Sequence, residues 1–167
     1  MTIEEFSHNL ADFTAKFGNH MRSDAPKIIA NKAVMLFKNN FLTESFFGNK
    51  WQEVKRRIPQ VITYRTKSGK TKTKVVKGKG TAARRKILTG TGDLGRSISS
   101  QVSDYSVTVF SNLPYASAHN DGSDNAGRSH STRIPQRQFI GEHDEVFNLT
   151  ENTIVNFFYK DLGVNPD

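Results

Sequence analysis

Apolar residues near the start of the chain recur at the spacing of one helical face. Thr2 followed by Glu5 matches a capping box, in which each side chain bonds the backbone amide of the other residue. The pattern predicts a first helix that begins after Thr2 and ends at Gly18. The apolar positions, at intervals of three and four, are Ile3, Phe6, Leu10, Phe13 and Phe17.

Two longer segments carry the same helical spacing. The second helix is predicted over residues 23–41, where Pro26 is tolerated in the first turn. The last helix is predicted over residues 142–162, with Gly163 ending it. The expected buried faces are Ile29, Ala33, Leu36 and Phe37 in the second helix, and Val146, Leu149, Thr153 or Ile154, and Phe157 in the last.

The middle of the chain alternates in a way that is typical of strands. Residues 61–66 and 71–77 are predicted to form a hairpin around a turn at Ser68-Gly69. Gly69 suits that turn because glycine tolerates the backbone angles that tight turns require.

A second pair of strands is predicted further along. Residues 97–103 and 106–110 alternate and are joined by a tight turn at residues 104–105. Residues 115–120 are compatible with a short helix. Residues 122–132 are polar and rich in Gly and Ser, which predicts a mobile loop.

This order of elements predicts an α+β fold in one domain that spans residues 1–167. We expect a small antiparallel sheet with two N-terminal helices and a C-terminal helix packed on it, plus a protruding basic hairpin. Within that domain, residues 1–50 form the helical N-terminal part, residues 61–86 the hairpin arm, and residues 87–163 the sheet and the C-terminal helix.

Positive charge is concentrated in that arm. The chain has 167 residues and a formal net charge of +8, and ten of its 24 Lys and Arg lie between residues 65 and 86 with no acidic residue among them. The other 14 are outnumbered by 16 acidic residues. We call this segment the basic arm; its cations are Arg65, Lys67, Lys70, Lys72, Lys74, Lys77, Lys79, Arg84, Arg85 and Lys86.

The basic arm has two interpretations. Clustered Lys and Arg bind nucleic-acid phosphates without reading sequence, because they release condensed counterions; the same charge suits an acidic protein partner. Alternatively, the arm is a solvated hairpin that its charge keeps in solution. The basic arm has no aromatic residues between its cations, and only Tyr64 stands near its start, so we do not expect it to stack on nucleic-acid bases.

Two motifs suggest chemistry that their surroundings do not support. Residues 90–95 match G-x-G-x-x-G, but no clear strand precedes them, no helix is predicted after them, and no acidic residue follows at about 20 positions. A metal site is suggested by histidines and carboxylates without an ordered ligand spacing. We therefore expect no catalytic residue, metal or cofactor. The candidate ligands are His119, Asp121, His130, His143 and Asp144.

Three blocks of sequence, in order, resemble a known family. They are Leu88-Thr-Gly-Thr-Gly-Asp-Leu-Gly-Arg-Ser-Ile, then a strand and turn followed by Tyr-Ala-x-x-His-x-x-Gly, then Pro-x-Arg-x-Phe-Ile-Gly. Together they are similar to the phage virion morphogenesis family, which includes the Mu gpG-like tail-completion and neck proteins. The residues that carry the resemblance are Gly92, Leu94, Ser97, Tyr115, His119, Gly122, Pro135, Arg137 and Phe139.

The resemblance implies a structural role rather than an enzymatic one. We expect a subunit of a tailed-phage neck or tail end that assembles as a ring and contacts other neck or tail proteins, with the nine residues above at an interface or in packing. The basic arm would face DNA in the channel or an acidic ring partner. The alternative is a nucleic-acid-binding protein, or a small metal-dependent nuclease that uses His119 and Asp121.

Composition and the N-terminal sequence narrow the chemistry and the compartment expected for the protein. The chain contains no cysteine, which removes disulfides, thiolate zinc sites and cysteine nucleophiles. Its first residues lack the basic and apolar regions of a signal peptide, and no apolar run reaches the length of a membrane span. We expect a protein without a membrane partner that is assembled in the host cytoplasm and resides in the virion.

Overall fold

The computed structural model describes residues 2–76, 78 and 83–164. Its N-terminal part is a pair of helices joined without a loop. Helix α1 (Ile3–Asn19) continues through a π-helical turn (His20–Asp24) into α2 (Ala25–Thr43). The capping box is confirmed: the amide of Glu5 donates to Thr2 Oγ1 at 3.1 Å, and the amide of Thr2 donates to Glu5 Oε2 at 2.8 Å.

The predicted helix end at Gly18 is wrong. Glycine ends a helix when it adopts a left-handed conformation, and the helix instead runs on to Asn19 and through the π turn. In that turn the amide of Ala25 donates to the carbonyl oxygen of His20. Pro26 follows directly and has no amide hydrogen to donate, so the wide turn lies where the α-helical bonding pattern is already interrupted.

Helix α2 supplies one wall of the core. Its buried apolar face is Ala30, Ala33, Phe37 and Phe41, whereas the predicted face residues Ile29 and Leu36 are half-buried. The helix ends at Glu44, which has a left-handed φ of 55°.

The α+β class is confirmed, and the described strands form four two-stranded antiparallel pairs. Each pair is a local hairpin, and the hairpin over residues 98–111 packs against α2. The pairs are β1 (Ser45–Phe46) with β2 (Asn49–Lys50), β3 (Gln60–Arg65) with β4 (Thr71–Val76), β5 (Ile98–Ser103) with β6 (Ser106–Ser111), and β7 (Ser123–Ala126) with β8 (Thr132–Ile134).

The predicted mobile loop over residues 122–132 is wrong, because that segment contains β7 and the start of β8. Their pairing has an irregular register between Ser123 and Ala126. Gly122 and Gly127 both have a φ of 81°, which supplies the left-handed turns at the ends of β7. The polar composition of the segment hides a pairing of backbone groups. One exposed ion pair, between Asp124 on β7 and Arg133 on β8 at 3.1 Å, accompanies it.

Short helices lie between the hairpins in the part of the chain that the structure describes. Helix α3 (Asp93–Arg96) precedes β5, and α4 (Ala116–Asn120) follows β6 and confirms the predicted short helix.

The last helix, α5 (Asp144–Leu162), matches its prediction closely. His143 caps its start by accepting from the amide of Glu145, and Gly163 ends it with a φ of 71°. Thr153 is buried and Ile154 is partly exposed, which settles the choice left open by the sequence. Helix α5 packs against α2 and α1.

Among the described residues, an apolar core joins α2, β1, α3, β5 and α4, and β6 and α5 pack against it. Phe139 and Ile98 are its most completely buried large side chains. The ring of Phe41 lies 5.6 Å from that of Trp51 and 5.2 Å from that of Phe139, between centroids. Trp51 also donates from Nε1 to the carbonyl oxygen of Gln138 at 2.7 Å, so its polar atom is satisfied within the core.

Candidate functional site

The first sequence block forms a tight helical turn. Gly92 caps α3 with a φ of 85°, and a Cβ placed on it would lie 2.7 Å from Nη1 of Arg96. Glycine is therefore favoured by the left-handed backbone angle, whereas the end of the flexible Arg96 side chain can move aside. Arg96 donates to Asp93 Oδ1 at 2.6 Å, and Thr91 also bonds Asp93. These bonds hold the pKa of Asp93 below its usual range, with Thr91 the larger cause.

Three family-motif residues serve packing and local hydrogen bonding. Leu94 and Phe139 are core residues. Ser97 donates to the carbonyl oxygen of Leu94 at 2.8 Å and shares a hydrogen bond of 2.7 Å with Ser111, which ties α3 to the end of β6.

The second block places an aromatic pair beside a buried polar atom. The rings of Tyr115 and His119 meet edge to face with centroids 6.0 Å apart. Nδ1 of His119 is buried and has no hydrogen-bond partner among the described residues. Burial, followed by the nearby charge of Arg137, lowers the pKa of His119 below its usual range, so the ring is neutral at neutral pH.

The third block buries a cation. Arg137 is only 7% exposed, and its Nε and Nη2 donate to the carbonyl oxygen of Gln52 at 3.2 and 3.1 Å. Its backbone amide donates to the carbonyl oxygen of His119 at 2.8 Å. Burial, followed by the charge of Arg56, lowers the pKa of Arg137 below its usual range.

Contacts with backbone groups of the third block fix its position relative to the second block. Asn120 Oδ1 accepts from the amides of Phe139 and Ile140 at 2.9 and 3.0 Å. A Cβ placed on Gly122 would lie 3.0 Å from the backbone nitrogen of Gln136, so only glycine fits there without a shift. Pro135 lies half-buried at this junction and also lines a separate cavity next to Arg137.

A cleft of about 380 Å³ lies where the blocks meet. We call it the motif cleft. The family-motif residues that line it are Gly92, Leu94, Tyr115, His119 and Arg137. Its charged lining residues, among those the structure describes, are Arg56, Arg85, Lys86, Arg137 and Asp93. Cations therefore outnumber carboxylates there, and the cleft attracts anionic groups.

Residues 65–76 of the basic arm form part of the β3–β4 hairpin. Every β3 residue and all but Val76 of β4 are exposed, so the hairpin makes no core of its own. In the register Ile62 faces Lys74 and Tyr64 faces Lys72, which places both lysines on one face of the pair with Ile62 and Tyr64. Lys77 and Lys79 lie outside the described residues.

The base of the arm is held by a charged clamp. Arg57 donates from Nη1 and Nη2 to the two carboxylate oxygens of Glu44 at 2.7 and 2.6 Å, and the amide of Ile87 donates to Glu44 Oε1 at 2.7 Å. The bond from Arg57 is the largest cause that holds the pKa of Glu44 below its usual range. Arg57 also donates to the carbonyl oxygen of Arg85 at 2.8 Å.

The structure separates the arm cations into two groups. Arg65, Lys67, Lys70, Lys72 and Lys74 lie on the hairpin or its turn, whereas Arg84, Arg85 and Lys86 lie where the chain re-enters the core. Lys86 donates from Nζ to the carbonyl oxygen of Leu42 at 2.8 Å, so its charge caps the end of α2.

Sequence reasoning missed the clamp and the residues that order the motif cleft. Glu44 and Arg57 are 13 positions apart across irregular chain, and Gln52 contributes only a backbone carbonyl. No periodic pattern marks such residues. The charges of Lys50, Glu53, Lys55 and Arg56 lie between Glu44 and Arg57, so nothing in the sequence singles out this pair.

The alternative metal site finds no support within residues 2–76, 78 and 83–164. No group of three or more His, Asp or Glu side chains there is placed to hold a metal ion. The carboxylate of Asp121 accepts a bond from Asn120, and His130 lies in a turn with a φ of 49°. No helix in this part of the chain is long and apolar enough to cross a membrane.

Comparison with known proteins adds one finding. A family model described as the phage virion morphogenesis family matches residues 51–158. That range contains the three sequence blocks, the motif cleft residues and the basic arm, and it leaves α1 and α2 outside. No curated protein and no solved structure matches the chain.

Proposed function

This chain belongs to the phage virion morphogenesis family, and from that premise we propose that it is a structural subunit of the neck or tail end of a tailed-phage particle. It assembles as a ring in the host cytoplasm and joins other neck or tail proteins there. The observation that carries the proposal is the family match, which spans well over half of the 167 residues.

The geometry of the motif residues supports an assembly role. Most of their side chains pack, cap or bond backbone groups, and none of these contacts needs a substrate. Arg137 and His119 differ, because each brings a buried polar group to the wall of an open cleft. Such a cleft accepts a carboxylate of a neighbouring virion protein, since charge complementarity sets which partners dock.

The basic arm serves a second contact in this proposal. Its exposed hairpin carries lysines on one face and is anchored at its base by the Glu44 clamp, so it reaches away from the core without losing its position. Packaged DNA passes the neck of a tailed particle, and a lysine-bearing hairpin binds its phosphates irrespective of sequence.

Inactivation of the gene tests the proposal. Lysates that lack the protein should contain filled heads and tails that are unjoined or incomplete under the electron microscope, with infectivity restored by the gene supplied in trans. Complete, joined particles in normal numbers would contradict a structural role in the neck or tail end.

The nuclease alternative has a direct test. Plasmid DNA incubated with the purified protein and Mg²⁺ or Mn²⁺ should remain intact. Cleavage that disappears in His119→Ala would overturn the structural interpretation.

A further inference from the structure

The first half of α1 carries an apolar stripe that the rest of the described chain leaves uncovered. Ile3 is 88% exposed, and Phe6 and Leu10 are each 53% exposed. The second half of the helix differs, because the rings of Phe13 and Phe17 meet that of Phe158 on α5 at 5.6 and 5.8 Å between centroids. Helix α1 is therefore fixed to the body at one end and presents bare apolar side chains at the other.

An apolar groove lies along α2. Met35 and Leu42 are 70% and 64% exposed on the same side of the helix, and Phe41 and Leu88 contribute to the floor. The cavity has a volume of about 660 Å³ and an almost entirely apolar lining. Gly95 forms part of its wall, where a Cβ would sit 3.7 Å from the ring of Phe41. No described residue of the basic arm lines the groove, which shares Leu88 and Gly92 with the motif cleft.

The stripe and the groove match in length. Ile3, Phe6 and Leu10 occupy positions i, i+3 and i+7, the anchor spacing of a helix bound in a groove. Met35 and Leu42 are also seven residues apart. Seven residues of helix span about 10 Å. The stripe from Ile3 to Leu10 is therefore as long as the edge of the groove from Met35 to Leu42.

The charges around the two surfaces are complementary. Glu4 and Glu5 lie in the first turn of α1, on either side of the apolar stripe. Lys38 and Arg96 border the groove, although Arg96 is paired with Asp93, and both Lys32 and Glu145 border the cavity that continues the groove past Met35. Lys38 is therefore the cation that favours docking of the acidic start of α1 over docking of a basic segment.

We propose that the first half of α1 from one copy of the chain binds in the α2 groove of the next copy. The two halves of this contact are different surfaces, so each copy offers one half and accepts the other. Such a head-to-tail contact forms a ring when the rotation between copies closes. The inference rests on the proposed ring assembly and names the surfaces that build it.

Cross-linking in purified particles tests the contact, because the chain has no cysteine of its own. A Phe6→Cys/Leu42→Cys chain is incorporated into particles and treated with a short bismaleimide. We expect a ladder of covalent multimers beyond the dimer on a denaturing gel. The control is Phe6→Cys/Phe147→Cys, which keeps the first cysteine and moves the second to a comparably exposed site on α5, outside the groove. It should give no ladder.

A second cysteine pair controls for the case in which the first pair of substitutions itself disturbs the contact. Leu10→Cys/Met35→Cys probes the same contact with different side chains and should give the same ladder. If the chain is present in particles and neither groove pair cross-links above the control, the helix-in-groove contact is overturned while the structural role stands. If the chain is absent from the particles, the proposed function itself fails.

Discussion

Single residues make long-range connections that determine how well the core is fixed. Asn40 is a buried polar residue at 2% exposure on the apolar face of α2. Its Nδ2 donates to the carbonyl oxygen of Phe139, and its Oδ1 accepts from the amide of Phe47, both at 3.2 Å. One side chain thus satisfies two backbone groups from segments that are about 90 positions apart.

Replacing this amide should be costly. We expect Asn40→Ala to lower the free energy of unfolding by about 2–3 kcal/mol, because it leaves two buried backbone groups without partners. Urea unfolding followed by tryptophan fluorescence measures the change. Asn39→Ala removes the same amide from an exposed site on the same helix and should change stability by less than about 0.5 kcal/mol. Equal losses for the two variants would contradict the role given to Asn40.

His119 makes a prediction about protonation. Its pKa should lie below that of an unperturbed histidine, because burial and the charge of Arg137 both disfavour the imidazolium. In Arg137→Gln the pKa should rise towards its ordinary value. Titration of the histidine ring signals by NMR tests both. The unfolded chain takes up the proton first as pH falls, so this group makes the fold less stable below the ordinary histidine pKa of about 6.5. If the pKa of His119 were unchanged in Arg137→Gln, the charge of Arg137 would not be a cause of its lowering.

At the scale of elements, the clamp at the base of the basic arm depends on pH. The pKa of Glu44 is lowered in the folded protein, so the clamp stabilises the fold above the ordinary carboxylate pKa and is lost as pH falls through the folded value. Glu44→Gln should reduce the free energy of unfolding by about 1–2 kcal/mol at neutral pH, since charged hydrogen bonds to Arg57 are weakened.

The difference between the wild-type chain and Glu44→Gln should shrink towards acid pH, where both lack the carboxylate charge. Denaturant unfolding at several pH values measures it. Glu53→Gln is the matched control, because that carboxylate lies farther from Arg57, at 3.5 Å, and is more exposed. A difference that stays constant with pH would show that the charge of Glu44 does not hold the arm.

The hairpin of the basic arm makes a prediction about DNA. Lys72→Gln/Lys74→Gln should weaken binding to double-stranded DNA and reduce the slope of log affinity against log salt by about 2. Fluorescence anisotropy over a range of salt concentrations measures this. Lys50→Gln/Lys55→Gln removes two exposed lysines elsewhere and should leave the slope nearer that of the wild-type chain. A slope unaffected by the arm lysines would favour an acidic protein partner over DNA.

Elements with strong periodic patterns could be predicted from sequence, and contacts between distant segments could not. The spacing from Ile3 to Phe17 and the capping box located α1, and Gly163 located the end of α5. The end of α1 at Gly18 was misjudged because a glycine without a left-handed φ does not stop a helix. The β7–β8 hairpin was missed because its polar side chains reveal nothing about a backbone pairing.

The candidate site shows the same limit. The three sequence blocks correctly indicated the family, and the structure places many of their residues around the motif cleft. The sequence could not show that Phe139 belongs to the core while His119 and Arg137 reach the cleft. Burial of that kind depends on how α3, α4 and the segment before α5 pack together.

At the scale of the whole molecule, the fold combines an apolar core with four surfaces that lack a partner within the described chain. These are the arm hairpin, the motif cleft, and the apolar stripe and groove of α1 and α2. Large exposed apolar surfaces mark interaction sites in soluble proteins, and a subunit that is buried on several sides in an assembly needs several such surfaces.

The central claim is that this chain is a fixed component of the virion. Quantitative mass spectrometry of purified particles, with the major capsid protein as the internal standard, tests it most directly. We expect the chain in every preparation at a small, constant number of copies per particle that matches one ring. Its absence from infectious particles, or an amount that varies freely between preparations, would contradict a structural role in the virion.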